Sequence, residues 1–485
     1  MKYFYYLIGL MLISSSLIFP ACSTEEKTET SERPPNIIIV FTDDQGYADL
    51  GIYGAKDFET PHINKMASEG LKFERFYVSQ PVCSASRASL LTGSYSNRVG
   101  VHGAYFPKAK TGLNPKEETL AEILKPLGYK TAIFGKWHLG DHPDLRPNEQ
   151  GFDEYYGIPY SNDMWPLHPA NDYFKFDPLP LLENRDTLID IEDQSLMTGK
   201  YANRAVDFIR RNKDNPFFLY LPHPMPHAPL AASPDYAGKT ARGLYGDVIE
   251  EIDASVGAIL ATLEETGLDD NTLFIFTSDN GPWLNYGGHS GSALPLREGK
   301  GTAWEGGVRV PCVMRWPGKI AAGTITDVPA MTIDILPSIA KITGATLPKA
   351  KIDGKDITSI MFQEEGAKSP QEGYAFYYKK NELHAVMKGP WKLYFPHTYR
   401  SLNGRVGTND GLPIDYDQNK LEQEELYNVV EDISEKNNLY AEQPEIVQDL
   451  QDFAEKIREE LGDNLTEREG AENREAAEVS WPEGS

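Results

Sequence analysis

Residues Asn36–Phe41 (NIIIVF) form a continuous apolar, largely β-branched run with no polar alternation. A strand of that kind has no face to offer water, so it belongs inside a sheet covered on both sides. The same signal recurs at Tyr129–Phe134, Pro216–Leu221 (PFFLYL) and Thr272–Thr277 (TLFIFT). Helical patterns fall between these strands. Thr60-Pro61 through Gly70 reads as a short helix with a Thr cap, Pro in the first turn and Gly as its stop. Lys116–Leu127 is helical in pattern. Tyr245–Thr266 carries a stripe of Val248, Ile249, Ile252, Val256, Ile259, Leu260 and Leu263. Strands alternating with helices predict an α/β fold with a large, mostly parallel sheet. The character changes after about Gly366. Tyr374–Tyr378, Ala385–Lys388 and Trp391–Phe395 read as short strands, and Glu445–Leu461 as an amphipathic helix. This divides the chain into a larger α/β domain at 35–366 and a smaller C-terminal α+β unit at 367–485, with residues 462–485 expected to run over the surface.

The first residues read as an address. Lys2 and the apolar stretch Tyr3–Phe19 end at Pro20-Ala21-Cys22, so residues 1–21 are expected to be a signal peptide, with Cys22 lipidated as in bacterial lipoproteins. Residues 22–34 are polar, acidic and Pro-ended, a flexible tether. The expectation is an exported protein, lipid-anchored through Cys22 in the cell envelope, at the outer membrane or cell surface, or held in the periplasm. Asp and Glu outnumber Lys and Arg by 72 to 47, a net charge of −25, which argues against nucleic acid as a partner. An anionic substrate therefore needs a locally basic pocket. Three cysteines, Cys22, Cys83 and Cys312, exclude a disulfide scaffold; Cys312 reads as a small buried apolar residue.

The chemistry collects at strand ends. The strand at 36–41 runs into Thr42-Asp43-Asp44, that at 272–277 into Ser278-Asp279-Asn280-Gly281, and that at 129–134 into Gly135-Lys136-Trp137-His138. The strand at 216–221 leads to His223 and His227. Any one of these is an ordinary strand-terminating turn, but open α/β sheets bind ligands outside the carboxyl ends of their strands, and four such ends together predict a site. His223 reads equally as a pocket or a surface residue. Asp43, Asp44, Asp279 and Asn280 are hard oxygen donors. Three carboxylates together repel unless a hard divalent cation, Ca²⁺ or Mg²⁺, joins them. Cys83 opens a run of small residues, CSASRASLLTG, with Arg87 one turn on.

That run resembles the maturation signature C-x-A-S-R-x-x-L-x-T-G of the formylglycine-dependent sulfatases of the arylsulfatase type. Further matches follow in order over Pro35–Leu461: NIIIVFTDDQGYADLGIYG, GYKTAIFGKWHLG, HPMPHAP, FTSDNGP, LREGKGTAWEGGVRVP and LYNVVEDISEKNNL. The resemblance implies an alkaline-phosphatase-like sheet with a smaller C-terminal α+β domain. It implies a maturation enzyme that oxidises Cys83 to formylglycine, whose hydrate is the nucleophile. It implies one Ca²⁺ per chain held by Asp43, Asp44, Asp279 and Asn280 with residue 83. Arg87 then corresponds to the residue holding the aldehyde hydrate. Lys136, His227 and Lys300 correspond to contacts with the sulfate ester, with His227 or Lys300 protonating the leaving oxygen. The resemblance further implies that Asp279 activates the attacking hydroxyl and that His138 is the base that releases sulfate. Ala85 stands where many members carry Pro, which bears on the maturation route.

Substrate choice is expected from insertions between the strands. Tyr160–Glu183 and Trp283–Arg297 are rich in aromatic and polar residues, and Asp163, Trp165, His168, His289, Arg297 and His397 are the candidate substrate contacts. The implied substrate is a sulfated carbohydrate, a polysaccharide or its fragments. Two other readings remain: a phosphate or phosphonate monoester hydrolase of the same superfamily, and an inactive sulfatase-fold protein that binds sugar at the surface.

Overall fold

The computed structural model describes Met1, residues 33–168 and residues 175–482. The leader, Cys22, nearly all of the tether, and 169–174 of the 160–183 insertion lie outside the described residues.

Asn36–Thr42 (β1) is buried along its whole length. Its alternate residues enter two different cores. Ile37, Ile39 and Phe41 join a core with Leu90, Leu91 and Leu336, whereas Ile38 and Val40 join one with Ile63, Met66, Val248 and Ile252. A strand apolar on both faces is thereby satisfied on both. The remaining strands of the large sheet are Leu71–Tyr77 (β2), Lys130–Lys136 (β3), Glu154–Ile158 (β4), Pro180–Glu183 (β5), Asp186–Asp190 (β6), Phe217–Pro222 (β7), Thr272–Ser278 (β8), Arg309–Arg315 (β9) and Thr324–Thr326 (β10). They lie in the order β10-β2-β9-β8-β1-β7-β3-β4-β5-β6, and Ala330–Met331 also pairs with β2 to make the eleventh strand. The centre is parallel: Ile37 is level with Phe218 of β7 and Leu273 of β8. The flanks are antiparallel, at β9 against both β8 and β2 and at the β5–β6 hairpin. The sheet is therefore mixed.

Pro61–Ser68 (α1), Met197–Arg211 (α4) and Leu244–Thr266 (α5) cover one face; Cys83–Thr92 (α2), Leu120–Leu124 (α3) and Ile335–Thr343 (α6) cover the other. Thr60 does not cap α1 as the sequence suggests. Its hydroxyl accepts from Gly51 N and donates to Asn64 Oδ1. The orphan amides of His62 and Ile63 donate instead to the Asp253 carboxylate of α5, so a distant side chain takes over the local cap. The helix expected over 116–127 is confined to α3 and a following 3-10 turn, because a Thr119–Glu122 capping box starts it late.

Tyr374–Tyr378 (β11), Glu382–Lys388 (β12), Trp391–Tyr394 (β13) and Glu425–Asn428 (β16) form a second, antiparallel sheet against Pro444–Leu461 (α7). His397–Ser401 (β14) and Asp417–Leu421 (β15) pair as a separate arm. The core of this unit is continuous with one face of the large sheet: Tyr77 packs on Phe376 and Tyr95 on Tyr377, with centroids 5.5 and 6.5 Å apart. No helix among the described residues is long and apolar enough to cross a membrane.

The tail does more than run over the surface. Ala477–Glu478 pairs with Thr111–Gly112, and Trp481 Nε1 donates to Ala109 O at 3.0 Å. Arg98, wholly buried, reaches Asp353 at 2.6 Å, Glu460 at 2.9 Å and Glu472 at 3.0 Å. Its guanidinium thus ties the tail and α7 to the turn after α2. Removing one partner of such a cluster leaves buried charge uncompensated. Because Glu460 and Glu472 are half open to solvent, Arg98→Ala should lower stability by about 3 kcal/mol, the low end for buried pairs. A melting temperature unchanged from the parent would exclude this role.

Candidate active site

The carboxyl ends of β1, β3 and β8 and the first residue of α2 converge on one buried cluster. β1 delivers Asp43 and Asp44, β8 delivers Asp279 and Asn280, β3 ends in Lys136, and α2 opens with Cys83 and carries Arg87 one turn later. Asp44 and His138 both sit at φ 61°, a left-handed conformation that non-glycine residues adopt where surroundings fix them. Two bonds fix Asp44: its N–H donates to Asp279 Oδ1 at 3.1 Å, and Asn280 Nδ2 donates to Asp44 Oδ1 at 2.7 Å.

Cations and carboxylates interleave. Lys136 Nζ lies 2.5 Å from Asp43 Oδ2 and donates to Ser161 Oγ at 3.0 Å. Arg87 donates to Asp279 Oδ2 at 2.8 Å and lies 3.4 Å from Asp43 Oδ2. Lys300 Nζ reaches Asp44 at 2.7 Å and Cys83 Sγ at 3.3 Å, and lies 4.6 Å from the centre of the Trp283 ring. Cys83 Sγ is 3.5 Å from Asp43 Oδ1. His227 Nδ1–H donates to Ala228 O at 2.6 Å, leaving Nε2 3.5 Å from Asp44 Oδ2. His138 Nε2–H donates to Tyr105 O at 2.8 Å, and its buried Nδ1 has no partner.

Burial sets the electrostatics. It opposes ionisation of Asp43, yet Lys136, His227, Arg87 and Lys300 together hold that carboxyl well below the usual range. Asp279 goes the other way: burial and the Asp43 charge push it up to about 7 against the pull of Arg87. Burial and the neighbouring Asp43 push the Cys83 thiol far up. Burial holds His227 below its ordinary value, reinforced by Lys300. It holds His138 lower still, reinforced by Lys136 and Arg87. His138 is therefore neutral at pH 7.

This donor set fits a hard divalent cation. Asp43, Asp44, Cys83 and His227 offer ligand atoms within 4.8 Å of one another. The side-chain oxygen of the buried Asn280 has no hydrogen-bond partner. Asp279 is driven toward protonation by burial and then by the neighbouring Asp43 and Asp44 charges, a repulsion that a cation would relieve.

The candidate substrate contacts are divided. Asp163 leaves a buried Oδ1 without a partner, and it acts electrostatically on His227 and His168. His168 Nε2 is 3.4 Å from Tyr286 OH. Trp165 is held away by Nε1 donating to Ile191 O. His289 faces the 409–411 loop. Arg297 stacks 3.4 Å over the Trp304 ring and donates to the Tyr399 and Tyr427 hydroxyls. His397 is buried and stacked on His384 at 3.9 Å. His223 is neither a pocket nor a surface residue: it is buried and bonded to Ser255 of α5 at 3.1 Å. Ser161, Trp283 and Tyr286 lie in the two insertions marked in the sequence but are not singled out there. Trp283 lies 5.1 Å from His227 and 4.9 Å from Tyr286, ring to ring. Its sequence signal is its place just after the SDNGP turn, at the head of the aromatic-rich 283–297 insertion.

A doubly covered α/β sheet with interleaved cations, carboxylates and histidines at its carboxyl edge defines a hydrolase for a small anionic ester. The sequence profile described as Sulfatase matches residues 35–345, and that described as the C-terminal region of aryl-sulfatase matches 369–480. The chain is 38% identical to arylsulfatase A of Homo sapiens over 387 residues, 75% of each chain. It is 38% identical to N-acetylgalactosamine-6-sulfatase of Rattus norvegicus over 380 residues, 75% of this chain and 71% of the relative. The crystal structure of the PsFucS1 sulfatase from Pseudoalteromonas sp. superposes with a TM-score of 0.78 at 28% identity, covering 87% of this chain and 90% of that one. The chain belongs to the sulfatase family and is a sulfuric ester hydrolase.

The raised Asp279 pKa couples stability to pH. Without a cation, the folded protein binds a proton at Asp279 below about pH 7, whereas the unfolded chain waits until about 3.8. This group therefore destabilises the cation-free protein above pH 7 and relaxes as pH falls from 7 toward 4. Adding Ca²⁺ to chelator-treated protein should raise the melting temperature, and by more at pH 8 than at pH 6. No shift at either pH would exclude the cation site.

Proposed function

We propose that the protein hydrolyses sulfate esters on carbohydrates, with residue 83 as formylglycine and a Ca²⁺ held by Asp43, Asp44, Asp279 and Asn280. The observation that carries this reading is the place of Cys83: its Sγ stands 3.3 Å from Lys300 Nζ and 3.5 Å from Asp43 Oδ1, at the first turn of α2. Burial and the Asp43 charge both disfavour a thiolate there, whereas an uncharged aldehyde hydrate suits the position. Formylglycine supplies a hydrated aldehyde oxygen as the nucleophile, and Ca²⁺ supplies positive charge against the sulfuryl oxygens.

The protein's own groups then have defined tasks. Arg87, Lys136 and Lys300 are fixed positive charges facing the sulfate, and burial makes each count for more than in water. Because the Nδ1 proton of His227 is committed to Ala228 O, Nε2 is the atom that faces the site; as the imidazolium His227 would hand its Nε2 proton to the leaving oxygen and return to the neutral ring. His138 is neutral with a free Nδ1, the form that accepts a proton. The carbohydrate assignment is supported by the likeness to N-acetylgalactosamine-6-sulfatase, named for a sulfated sugar. It is also supported by the Trp283–Tyr286 aromatic wall beside His227 and by the unpartnered Asp163 Oδ1, an acceptor suited to a sugar hydroxyl. Export and lipidation at Cys22 form part of the proposal and rest on the sequence alone.

Cys83→Ala should fold normally and lose turnover, by about a thousandfold or more for a covalent nucleophile. Mass analysis of the residue 83 peptide should find an aldehyde in place of the thiol. Full activity in the Ala variant, or an unmodified thiol in active protein, would overturn the mechanism. Sulfate esters should outrun matched phosphate esters; the reverse preference would favour the phosphoester reading. His227→Ala should slow sugar sulfates about 10²-fold or more, and nitrophenyl sulfates far less, because a nitrophenolate leaves without a proton. Equal losses would reduce His227 to a sulfate contact.

A further inference from the structure

The loop Gly299–Glu305 carries Lys300 into the cluster, yet much of what holds it comes from the C-terminal unit. On its own side of the molecule Lys300 N donates to Pro282 O and Gly301 N to Pro81 O, both at 2.9 Å, and Tyr77 OH donates to Glu305 Oε2 at 3.0 Å. The C-terminal unit adds further bonds. Lys392 Nζ and Tyr394 OH donate to Ala303 O at 2.8 and 3.1 Å, and Glu305 N donates to Glu435 Oε2 at 2.9 Å. Lys300 itself is gripped by Arg400 of β14. Arg400 Nε donates to the Lys300 carbonyl at 2.7 Å, and Nη2 donates to the same oxygen.

Three features make this more than a surface contact. Both donors of one guanidinium edge go to a single carbonyl, and Arg400 makes no ion pair with any carboxylate among the described residues; its bonding is spent on the Lys300 backbone. The guanidinium lies 4.8 Å from the centre of the Tyr416 ring, and Tyr416 OH accepts from Asn285 N, so the arm is anchored to the loop that follows Trp283. The close approach also depends on glycine at 301, where φ is +77° and a Cβ would stand 2.5 Å from the guanidinium.

We infer that Arg400 is a positioning residue for Lys300: the β14–β15 arm fixes the backbone from which the Lys300 ammonium reaches Asp44 and residue 83. Arg400 touches neither the sulfate site nor the cation ligands; it acts through the lysine. The inference rests on Lys300 serving turnover as proposed above, and it assigns the C-terminal arm a place in assembling the generic sulfate site. Misplacing a reacting group by about 1 Å can cost about 10²-fold in rate, so a clamp on this backbone is worth one to two decades.

A double-mutant cycle tests it, read as kcat and KM on a small aryl sulfate that makes no use of distant sugar contacts. Arg400→Ala should lower kcat by about tenfold to a hundredfold with KM little changed, because it misplaces a group already bound in the protein. In a Lys300→Ala background the same change should cost less than about threefold, since residues acting through one another are not additive. Arg400→Lys, which keeps a donor but not the planar fork or the stacking, should recover part of the loss. If thermal melts show that Arg400→Ala does not fold, Arg400→Lys takes its place in the cycle. Equal losses from the Arg400 change with and without Lys300 would overturn the inference. A Lys300→Ala enzyme with full turnover would instead overturn the catalytic reading on which it rests.

Discussion

Six ionised or ionisable side chains, Asp43, Asp44, Asp279, Arg87, Lys136 and Lys300, are buried together at the edge of one sheet, and none of them can be there alone. Each isolated charge would cost several kcal/mol to take out of water, and each is made tolerable by the others. The arrangement demands a scaffold whose backbone does not move. β1 supplies it by being covered on both faces, and β8 and β3 supply it by being locked in parallel register on either side of β1 and β7. The left-handed backbone at Asp44 and His138 belongs to the same bargain: local strain is held where two carboxylates and an imidazole must be aimed in fixed directions.

The large sheet was legible because its central strands are monotonous. NIIIVF, PFFLYL and TLFIFT have only one stable home, and their ends marked the cluster before any coordinate was known. Other parts were hidden for identifiable reasons. β9 (RVPCVMR) contains Pro311 at the point where its pairing with β2 shifts register, so it lacks the continuous signature of a central strand although it is fully buried. α4 has a strong apolar face, Tyr201, Ala202, Ala205, Phe208 and Ile209, but begins after a loop of ambiguous polarity. The cap of α1 was misassigned because the Asp253 carboxylate that performs it is nearly two hundred residues away, and no local pattern records that.

The site divides the same way. Residues whose type is rare at a strand end, the paired aspartates and the Gly-Lys-Trp-His turn, could be read from the chain. Residues whose relevance comes from proximity alone could not. Trp283, Tyr286 and Ser161 look like loop residues until their neighbours are known. Conversely, Trp165, Arg297 and His397 look like sugar contacts until their polar atoms and faces are found engaged elsewhere: with Ile191 O, with the Trp304 ring and the tyrosine hydroxyls, and with His384. An aromatic or basic side chain in a polar insertion is as often a strut as a contact, and only packing tells them apart.

The strand order has a temporal meaning as well as a spatial one. β1 is made early, but both of its neighbours, β7 and β8, lie far along the chain, and the last pairing of the described fold joins Thr111–Gly112 to Ala477–Glu478. Such long-range pairing is slow to nucleate. Until residue 222 has been synthesised, β1 has no partner on either side, and until residue 278 the pocket has only part of its wall. In the folded chain residue 83 is buried at the first turn of α2. A topology that closes so late leaves that segment within reach from outside only before the sheet is complete.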